Sequence, residues 1–179
     1  GPDACKPDYS YLKGDITQAY TDKVKEAIFS RIGPYFDGGS ILDLFAGSGA
    51  ISLEAISRGM EHAVLVDMNG KAISTITSNI KALGVRDACT VLKMDYKTAL
   101  HKLEEQKQSF DVVFLDPPYK KQQISSILQY LDEHDMVKEN GDVICESLKE
   151  DIFEDAVGSL QKVKDFTYGI TRITYYRKR

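Results

Sequence analysis

The ten residues from Ile41 to Ala50 read I-L-D-L-F-A-G-S-G-A and decide the fold of this chain. A short apolar run leads to an acidic residue, and a glycine-rich turn then leads into an apolar pattern of helical spacing. This order predicts a buried parallel strand that enters a helix through a turn whose backbone passes close to a ligand. Gly47 and Gly49 suit such a turn because glycine readily takes a positive φ and has no Cβ to obstruct a ligand.

Strands and helices alternate on the C-terminal side of this stretch. Apolar runs bounded by turn signals predict seven strands, over 41–45, 63–66, 90–93, 110–115, 142–145, 160–166 and 170–176. Apolar residues at helical spacing predict helices over 21–32 (with Thr21 as N-cap), 50–58, 71–83, 96–105 and 124–131, and a weaker pattern predicts one over 151–157. Because no helix separates the last two strands, they are expected to form an antiparallel hairpin. The predicted fold class is therefore α/β: a doubly wound, mostly parallel seven-stranded sheet with an antiparallel C-terminal edge hairpin, the Rossmann-like arrangement of class I methyltransferases.

Composition places the chain among ordinary globular proteins. It has 179 residues, 42% hydrophobic and 28% charged, which suits one domain with a substantial core. No apolar run is long enough to span a membrane, no signal-peptide pattern is present, and Cys5, Cys89 and Cys145 show no C-x-x-C spacing. We therefore expect a cytoplasmic protein without a disulfide framework or a metal. The net charge of −4 argues mildly against a nucleic-acid binder but is compatible with a local basic patch.

Four acidic residues stand at the ends of the first four predicted strands: Asp43, Asp67, Asp95 and Asp116. The carboxyl ends of parallel strands meet at one rim of the sheet, where such folds bind ligands, although aspartate is also common there as a helix cap. Asp67 lies 20 residues after Gly47, a spacing that suits hydrogen bonds to a ribose diol in either NAD or S-adenosylmethionine.

The glycine turn favours S-adenosylmethionine over NAD. Ser52 stands where G-x-G-x-x-G would have its third glycine, and a dinucleotide needs that motif to hold its pyrophosphate at the helix N-terminus. A sulfonium ligand carries no phosphate and places only an amino-acid end near the turn. A nicotinamide oxidoreductase is therefore the interpretation that we rank last.

The segment Asp116-Pro117-Pro118-Tyr119 follows the fourth strand and indicates the reaction. Two consecutive prolines remove two backbone donors, so the carbonyl oxygens and the Asp116 carboxylate form a group of acceptors suited to an amino group. Tyr119 adds an aromatic ring on which a base could stack. Acceptors that hold the N–H bonds of an exocyclic amine can aim its lone pair at a methyl donor. The pattern predicts methyl transfer to the amine of a nucleobase.

Four segments together resemble the bacterial 16S rRNA guanine-N2 methyltransferase family, which belongs to the DPPY-type amino-methyltransferases that use S-adenosylmethionine. They are T-D-K-V-K-E-A-I-F from Thr21, L-D-L-F-A-G-S-G-A-I-S-L-E-A-I-S-R-G from Leu42, V-D-M-N from Val66 and L-D-P-P-Y from Leu115. The resemblance spans 21 to the C-terminus and implies a cytoplasmic monomer that methylates guanine N2 in 16S rRNA or in an assembling small ribosomal subunit.

The resemblance also implies roles for individual residues. Catalytic roles fall on Asp116, Pro117 and Tyr119. Cofactor contacts fall on Asp43, Phe45, Ala46, Gly47, Gly49, Asp67, Met68, Asp95 and Tyr96. Contacts to the substrate fall on Pro118, Tyr119, Lys120 and Lys121.

The N-terminal region departs from the family pattern. The family usually has a basic β-hairpin and an Arg-Pro before the helix at Thr21, whereas this chain reads T-Q-A-Y over 17–20. We therefore divide the chain into an N-terminal segment, 1–20, with a tag scar at Gly1-Pro2 and an altered or truncated hairpin, and a methyltransferase domain, 21–179. Other basic candidates for RNA contact, besides Lys120 and Lys121, are Arg172, Arg177, Lys178 and Arg179.

Two alternatives remain open. The same acceptor group would serve a DNA methyltransferase acting on adenine N6 or cytosine N4, although the chain leaves no room for a separate target-recognition domain. A non-catalytic protein that binds S-adenosylmethionine is the other alternative, and the intact Asp116 and glycine motifs argue against it.

Overall fold

A central eight-stranded sheet organises the computed structural model, which describes residues 14–179 and, within the first helix, side chains only from residue 22. The strands are β1 Ser40–Asp43, β2 His62–Asp67, β3 Cys89–Lys93, β4 Phe110–Leu115, β5 Val137–Leu148, β6 Ala156–Val157, β7 Leu160–Tyr168 and β8 Thr171–Lys178. Their order across the sheet is β3-β2-β1-β4-β5-β8-β7-β6. Strands β1 to β5 are parallel, and β8, β7 and β6 each pair antiparallel with a neighbour.

Helices cover both faces of this sheet. They are α1 Gly14–Ile32, α2 Ala50–Ser57, α3 Gly70–Leu83, α4 Tyr96–Glu105 and α5 Lys120–Glu133, with a 3-10 turn at Arg86–Ala88. Side chains of α1, α2 and α3 pack in one core with Ile41, Phe114 and Ile144 of the sheet. Side chains of α4 and α5 pack in a second core with the alternate strand residues, such as Leu42 and Leu115. This is the two-sided covering that alternating strands and helices require.

The predicted fold class is confirmed, and the sheet carries one strand more than expected. The seven predicted strands are all present, and the eighth is the two-residue β6 beside β7. The helix predicted over 151–157 is wrong. Carbonyl oxygens there accept from side chains instead, since Lys162 Nζ donates to Phe153 O at 2.9 Å and Tyr176 Oη donates to Glu154 O. The buried Phe153 ring anchors the segment without a helix.

The largest differences from the predicted boundaries are at the starts of α1 and β5. Thr21 lies inside α1 and is not its N-cap, because the helix begins at Gly14. Residues 14–20 contain no proline, so the helix can extend through them, although their apolar residues do not have helical spacing. Strand β5 begins at Val137 because Phe110 pairs with Val137 before the register shifts at Val112. The division of the chain at 20 and 21 stays a prediction, and the first 13 residues, which include Cys5 and the tag scar expected at Gly1-Pro2, lie outside the described residues.

Nothing in the described helices is both long and apolar enough to cross a membrane.

We expect Gly59→Ala to destabilise the fold by about 3 kcal/mol or more. Gly59 ends α2 with φ of 116°, and a Cβ placed there would stand 2.0 Å from the backbone oxygen of Phe36. Gly84→Ala is the matched control, because Gly84 also has a positive φ of 67° but has no atom within 4 Å of such a Cβ. The control should cost only about 1–2 kcal/mol, the strain of a left-handed alanine. Urea unfolding measures the free energy of unfolding of both variants. Equal losses of stability would contradict the close contact between residue 59 and Phe36.

Candidate functional site

The four rim carboxylates lie where the sequence predicts them. Asp43 and Asp67 are the last residues of β1 and β2, and Asp116 directly follows β4. Asp95 lies two residues beyond the end of β3. Asp67, Asp95 and Asp116 line one open groove, while Asp43 and Asp116 line a second, neighbouring cavity. The two spaces share Phe45 and Asp116, so they adjoin at these residues.

The glycine turn is held against the end of β2. The Gly47 amide donates to Asp67 Oδ2 at 2.9 Å, and the Ala46 amide donates to Val66 O at 2.9 Å. Gly47 has φ of 59°, and a Cβ added to it would have no other atom within 4 Å, so space is open above it. Gly49 differs, because a Cβ there would meet Leu65 Cδ2 of the core at 3.0 Å. The structure therefore places Gly47 at the site and Gly49 beneath it.

The open groove has a volume of about 500 Å³ and runs over the ends of β1 to β4. Phe45 and Tyr96 form part of its wall, with ring centroids 5.3 Å apart. Met68 is 70% exposed beside them. Other lining residues, most of them predicted, are Asp67, Asp95, Asp116, Pro117, Pro118, Lys120 and Gln123. An apolar and aromatic groove with carboxylates along its floor suits a nucleoside.

Asp95 caps a helix as well as lining this groove. Its Oδ1 accepts from the Lys97 amide at 2.8 Å and from the Thr98 amide at 3.1 Å, and its Oδ2 accepts from Thr98 Oγ1 at 3.0 Å. The bonds to Thr98 and Lys97 lower the pKa of Asp95. Asp67 is likewise engaged, since its Oδ1 accepts from the Asn69 amide at 2.9 Å. Asp95 therefore acts as the N-cap of α4, which is a common role of aspartate at strand ends, in addition to any contact with a ligand.

The second cavity, of about 330 Å³, lies between the sheet rim and α1. Asp43, Asp116 and Glu146 contribute carboxyl groups to its wall, and Val24 and Lys25 of α1 close the opposite side. Lys25 is itself paired with Glu54, at 3.4 Å. The cavity is therefore acidic and suits a cationic or amine-bearing group.

Asp43 is the most buried of these carboxyl groups. Ser52 Oγ donates to its Oδ2 at 3.0 Å, whereas its Oδ1 has no hydrogen-bond partner among the described residues. Burial raises the pKa of Asp43 to about 7, and the Ser52 bond opposes part of that rise. A buried acceptor without a donor is what a ligand N–H would satisfy.

The Asp-Pro-Pro-Tyr segment stands where the two spaces adjoin. Pro117 is buried, Pro118 is exposed, and the Tyr119 ring is 74% exposed, available to a stacking partner. The Tyr119 amide donates to Gln123 Oε1 at 2.9 Å, which fixes the start of α5. Lys120 forms an ion pair with the Asp116 carboxylate. Lys121 is exposed.

Most of the basic residues of β8 are engaged by neighbours within the fold. Arg172 binds both carboxylate oxygens of Asp165, at 2.8 and 2.7 Å. Arg177 Nε donates to Asp142 Oδ1 at 3.1 Å, and Lys178 pairs with Asp135. These partners neutralise three of the four C-terminal cations that the sequence proposes for RNA contact, and the fourth, Arg179, is exposed.

Sequence reasoning did not identify Ser52 as the hydrogen-bond donor to Asp43, and it did not identify Glu146 as a residue of the site. In the sequence, Ser52 stands out only as a departure from a glycine pattern. Glu146 follows an ordinary apolar strand, and its position becomes evident only once β4 and β5 are known to be neighbours.

The described side chains contain no group of three or more His, Cys, Asp or Glu that could hold a metal, and Cys89 and Cys145 are free thiols.

Solved structures with the same architecture include a protein of Streptococcus pyogenes described as a conserved hypothetical protein, with a TM-score of 0.81 and 41% identity over 87% of this chain and 95% of that one. A more distant neighbour, SMU.776, is described as "a putative methyltransferase complexed with SAH"; it has a TM-score of 0.67 and 12% identity over 87% of this chain and 48% of that one. These neighbours share the fold found in methyltransferases, which confirms the predicted fold class.

The chain belongs to the family described as Conserved hypothetical protein 95, whose profile matches residues 8–177. Among its relatives, the "Putative rRNA methyltransferase YlbH" of Bacillus subtilis is 45% identical over 168 residues, 94% of this chain and 91% of that protein. Ribosomal RNA small subunit methyltransferase D of Escherichia coli is 28% identical over 127 residues, 71% of this chain and 62% of that protein. The family resemblance predicted from the sequence is therefore confirmed.

Proposed function

We propose that this protein transfers a methyl group from S-adenosylmethionine to the exocyclic N2 amine of a guanine in 16S ribosomal RNA. The observation that carries the proposal is the position of Asp116, the first residue of Asp116-Pro117-Pro118-Tyr119, at the junction of the nucleoside-sized groove and the acidic cavity. The names of the relatives support RNA of the ribosome as the substrate.

The residues of the rim fit the cofactor. The groove walled by Phe45 and Tyr96 would take the adenosine, with Asp67 as acceptor for its ribose hydroxyls. The open space above Gly47 and the unpartnered Asp43 Oδ1 would take the amino-acid end, whose ammonium group supplies the missing donor. When bound, the cofactor supplies an electrophilic methyl group.

The chain's own contribution at the target is recognition and orientation. Asp116 and the carbonyl oxygens beside the two prolines accept the N–H bonds of the amine, which directs its lone pair. Tyr119 offers an exposed ring for stacking the base once it has left its helix. Lys120 holds the Asp116 carboxylate, and the exposed Lys121 next to it is available to a phosphate of the RNA. The enzyme would act as a monomer in the cytoplasm, on free small-subunit RNA or on an assembling particle.

The test is transfer of labelled methyl groups to small-subunit RNA and small subunits that lack native methylation, followed by identification of the modified nucleoside. We expect N2-methylguanosine at a defined position. Incorporation only into DNA, as N6-methyladenine or N4-methylcytosine, would replace this proposal with a DNA methyltransferase. Cofactor binding measured by calorimetry without turnover on any nucleic acid would replace it with a non-catalytic binding protein.

A further inference from the structure

Glu146 is a carboxyl group of the site that the proposed roles leave unused. In the parallel register of β4 and β5, Leu115 pairs with Cys145, so the next residues of the two strands, Asp116 and Glu146, stand side by side. Both side chains point to the face of the sheet that α1 covers, and both line the acidic cavity. Glu146 is therefore a fixed neighbour of the carboxylate proposed to hold the target amine.

The surroundings of Glu146 place it in a carboxyl pair with Asp116. A hydrogen bond joins the two carboxyl groups, and Lys120 forms an ion pair with Asp116. Burial and the nearby Asp116 raise the pKa of Glu146 to about 8, so Glu146 carries the proton of this hydrogen bond and donates it to Asp116. On β8, the strand on the other side of β5, the residue that pairs with Glu146 is the apolar Ile173. The O–H of Glu146 is thereby committed to Asp116, and each carboxyl group keeps a second oxygen as an acceptor for a ligand in the cavity.

Exocyclic amines of the bases differ in the ring nitrogen beside them. In guanine, N1 beside the N2 amine carries a hydrogen and donates. In adenine and cytosine the ring nitrogen beside the amine has no hydrogen and accepts. Two adjacent carboxyl acceptors therefore match guanine, whereas an amine of adenine or cytosine would place a ring acceptor against the free oxygen of Glu146.

We propose that Glu146 is the specificity-determining residue that selects guanine, by accepting the N1–H hydrogen while Asp116 accepts from the N2 amine. This inference rests on the proposed function, because it assigns the second polar contact of the same target base. It explains why an acidic residue occupies a site that a simple holder of one amine would not need.

The experiment compares guanine with 2-aminopurine at the target position. The methylated guanine is first mapped, and the small-subunit RNA is then rebuilt by ligation with guanine or 2-aminopurine there. 2-Aminopurine keeps the 2-amino group, but its N1 is an acceptor. We expect wild-type enzyme to favour guanine in kcat/KM by about 10–100-fold. Glu146→Gln should bring the two substrates to within a few-fold, because an amide can donate to N1.

A control variant and two further measurements separate selection from a merely structural role. Glu150→Gln alters an exposed glutamate four residues away and should keep the wild-type preference. 2-Aminopurine emission should rise on binding to both wild type and Glu146→Gln, which shows that the base still leaves the stack. Calorimetry with the cofactor should give similar affinities for both enzymes.

The outcomes distinguish the two proposals. If mapping finds no N2-methylguanine, the proposed function is overturned. If mapping succeeds and Glu146→Gln lowers the rates on both bases equally, or keeps the wild-type ratio, then the selective role of Glu146 is overturned and the proposed function stands.

Discussion

Asp116→Ala is expected to lower kcat for methyl transfer about 10²–10³-fold, the cost of removing one well-placed polar group at a reacting centre. The carboxylate stands at the junction of the two ligand spaces and is fixed there by Lys120 and Glu146. Alanine removes the acceptor that orients the amine, so the lone pair is no longer aimed at the methyl donor. Cofactor affinity should stay within a few-fold, because most of the groove is lined by other residues.

Single-turnover rates and cofactor titrations measure these two quantities separately. Asp87→Ala is the matched control, since Asp87 is an exposed aspartate in the 3-10 turn before β3. Asp116→Asn keeps one acceptor oxygen and should lose less activity than alanine. A rate within about threefold of wild type for Asp116→Ala would mean that the amine is oriented by other groups, and the proposed role of this segment would be wrong.

The elements that sequence patterns located best are those with strong local signals at both ends. Strand β4 and helix α4 have the predicted bounds, Phe110–Leu115 and Tyr96–Glu105. A continuous apolar run identifies the strand, and Asp95 caps the helix through its side chain. The rim of carboxylates was predictable for a different reason, because parallel strands must bring their carboxyl ends to one edge.

Features that depend on tertiary neighbours were beyond sequence reasoning. Glu146 becomes significant only through its register with Asp116 on an adjacent strand. Arg172 and Arg177 are neutralised by Asp165 and Asp142, which lie on neighbouring strands. Gly49 looks like Gly47 in the sequence, yet packing against Leu65 explains its lack of a Cβ. In each case the deciding contact joins residues whose relation the local pattern does not contain.

Asp43→Asn is expected to change how stability depends on pH. A carboxyl with a pKa of about 7 in the fold and 3.8 as its ordinary value takes up a proton on folding. The folded protein therefore loses stability as pH rises between these values, by up to about 1.4 kcal/mol per pH unit, and the loss stops above about pH 7. Asparagine does not titrate. The free energy of unfolding of the variant, minus that of wild type, should therefore rise from pH 5 to 7 and then level off.

Urea unfolding of the cofactor-free proteins between pH 5 and 8.5 measures this difference. Subtracting the two free energies of unfolding cancels the contribution of Glu146, which titrates in both proteins.

Asp43 should also make cofactor affinity depend on pH, in the opposite direction. An ammonium group attracts Asp43 only when the carboxyl is ionised, so wild-type affinity should increase as pH rises through about 7, and the variant should lack this increase. Because the unpartnered Oδ1 is the proposed acceptor, the variant should also bind the cofactor about 10-fold or more weakly at pH 8. A flat difference in stability together with an unchanged affinity would contradict both the burial of this charge and its contact with the cofactor.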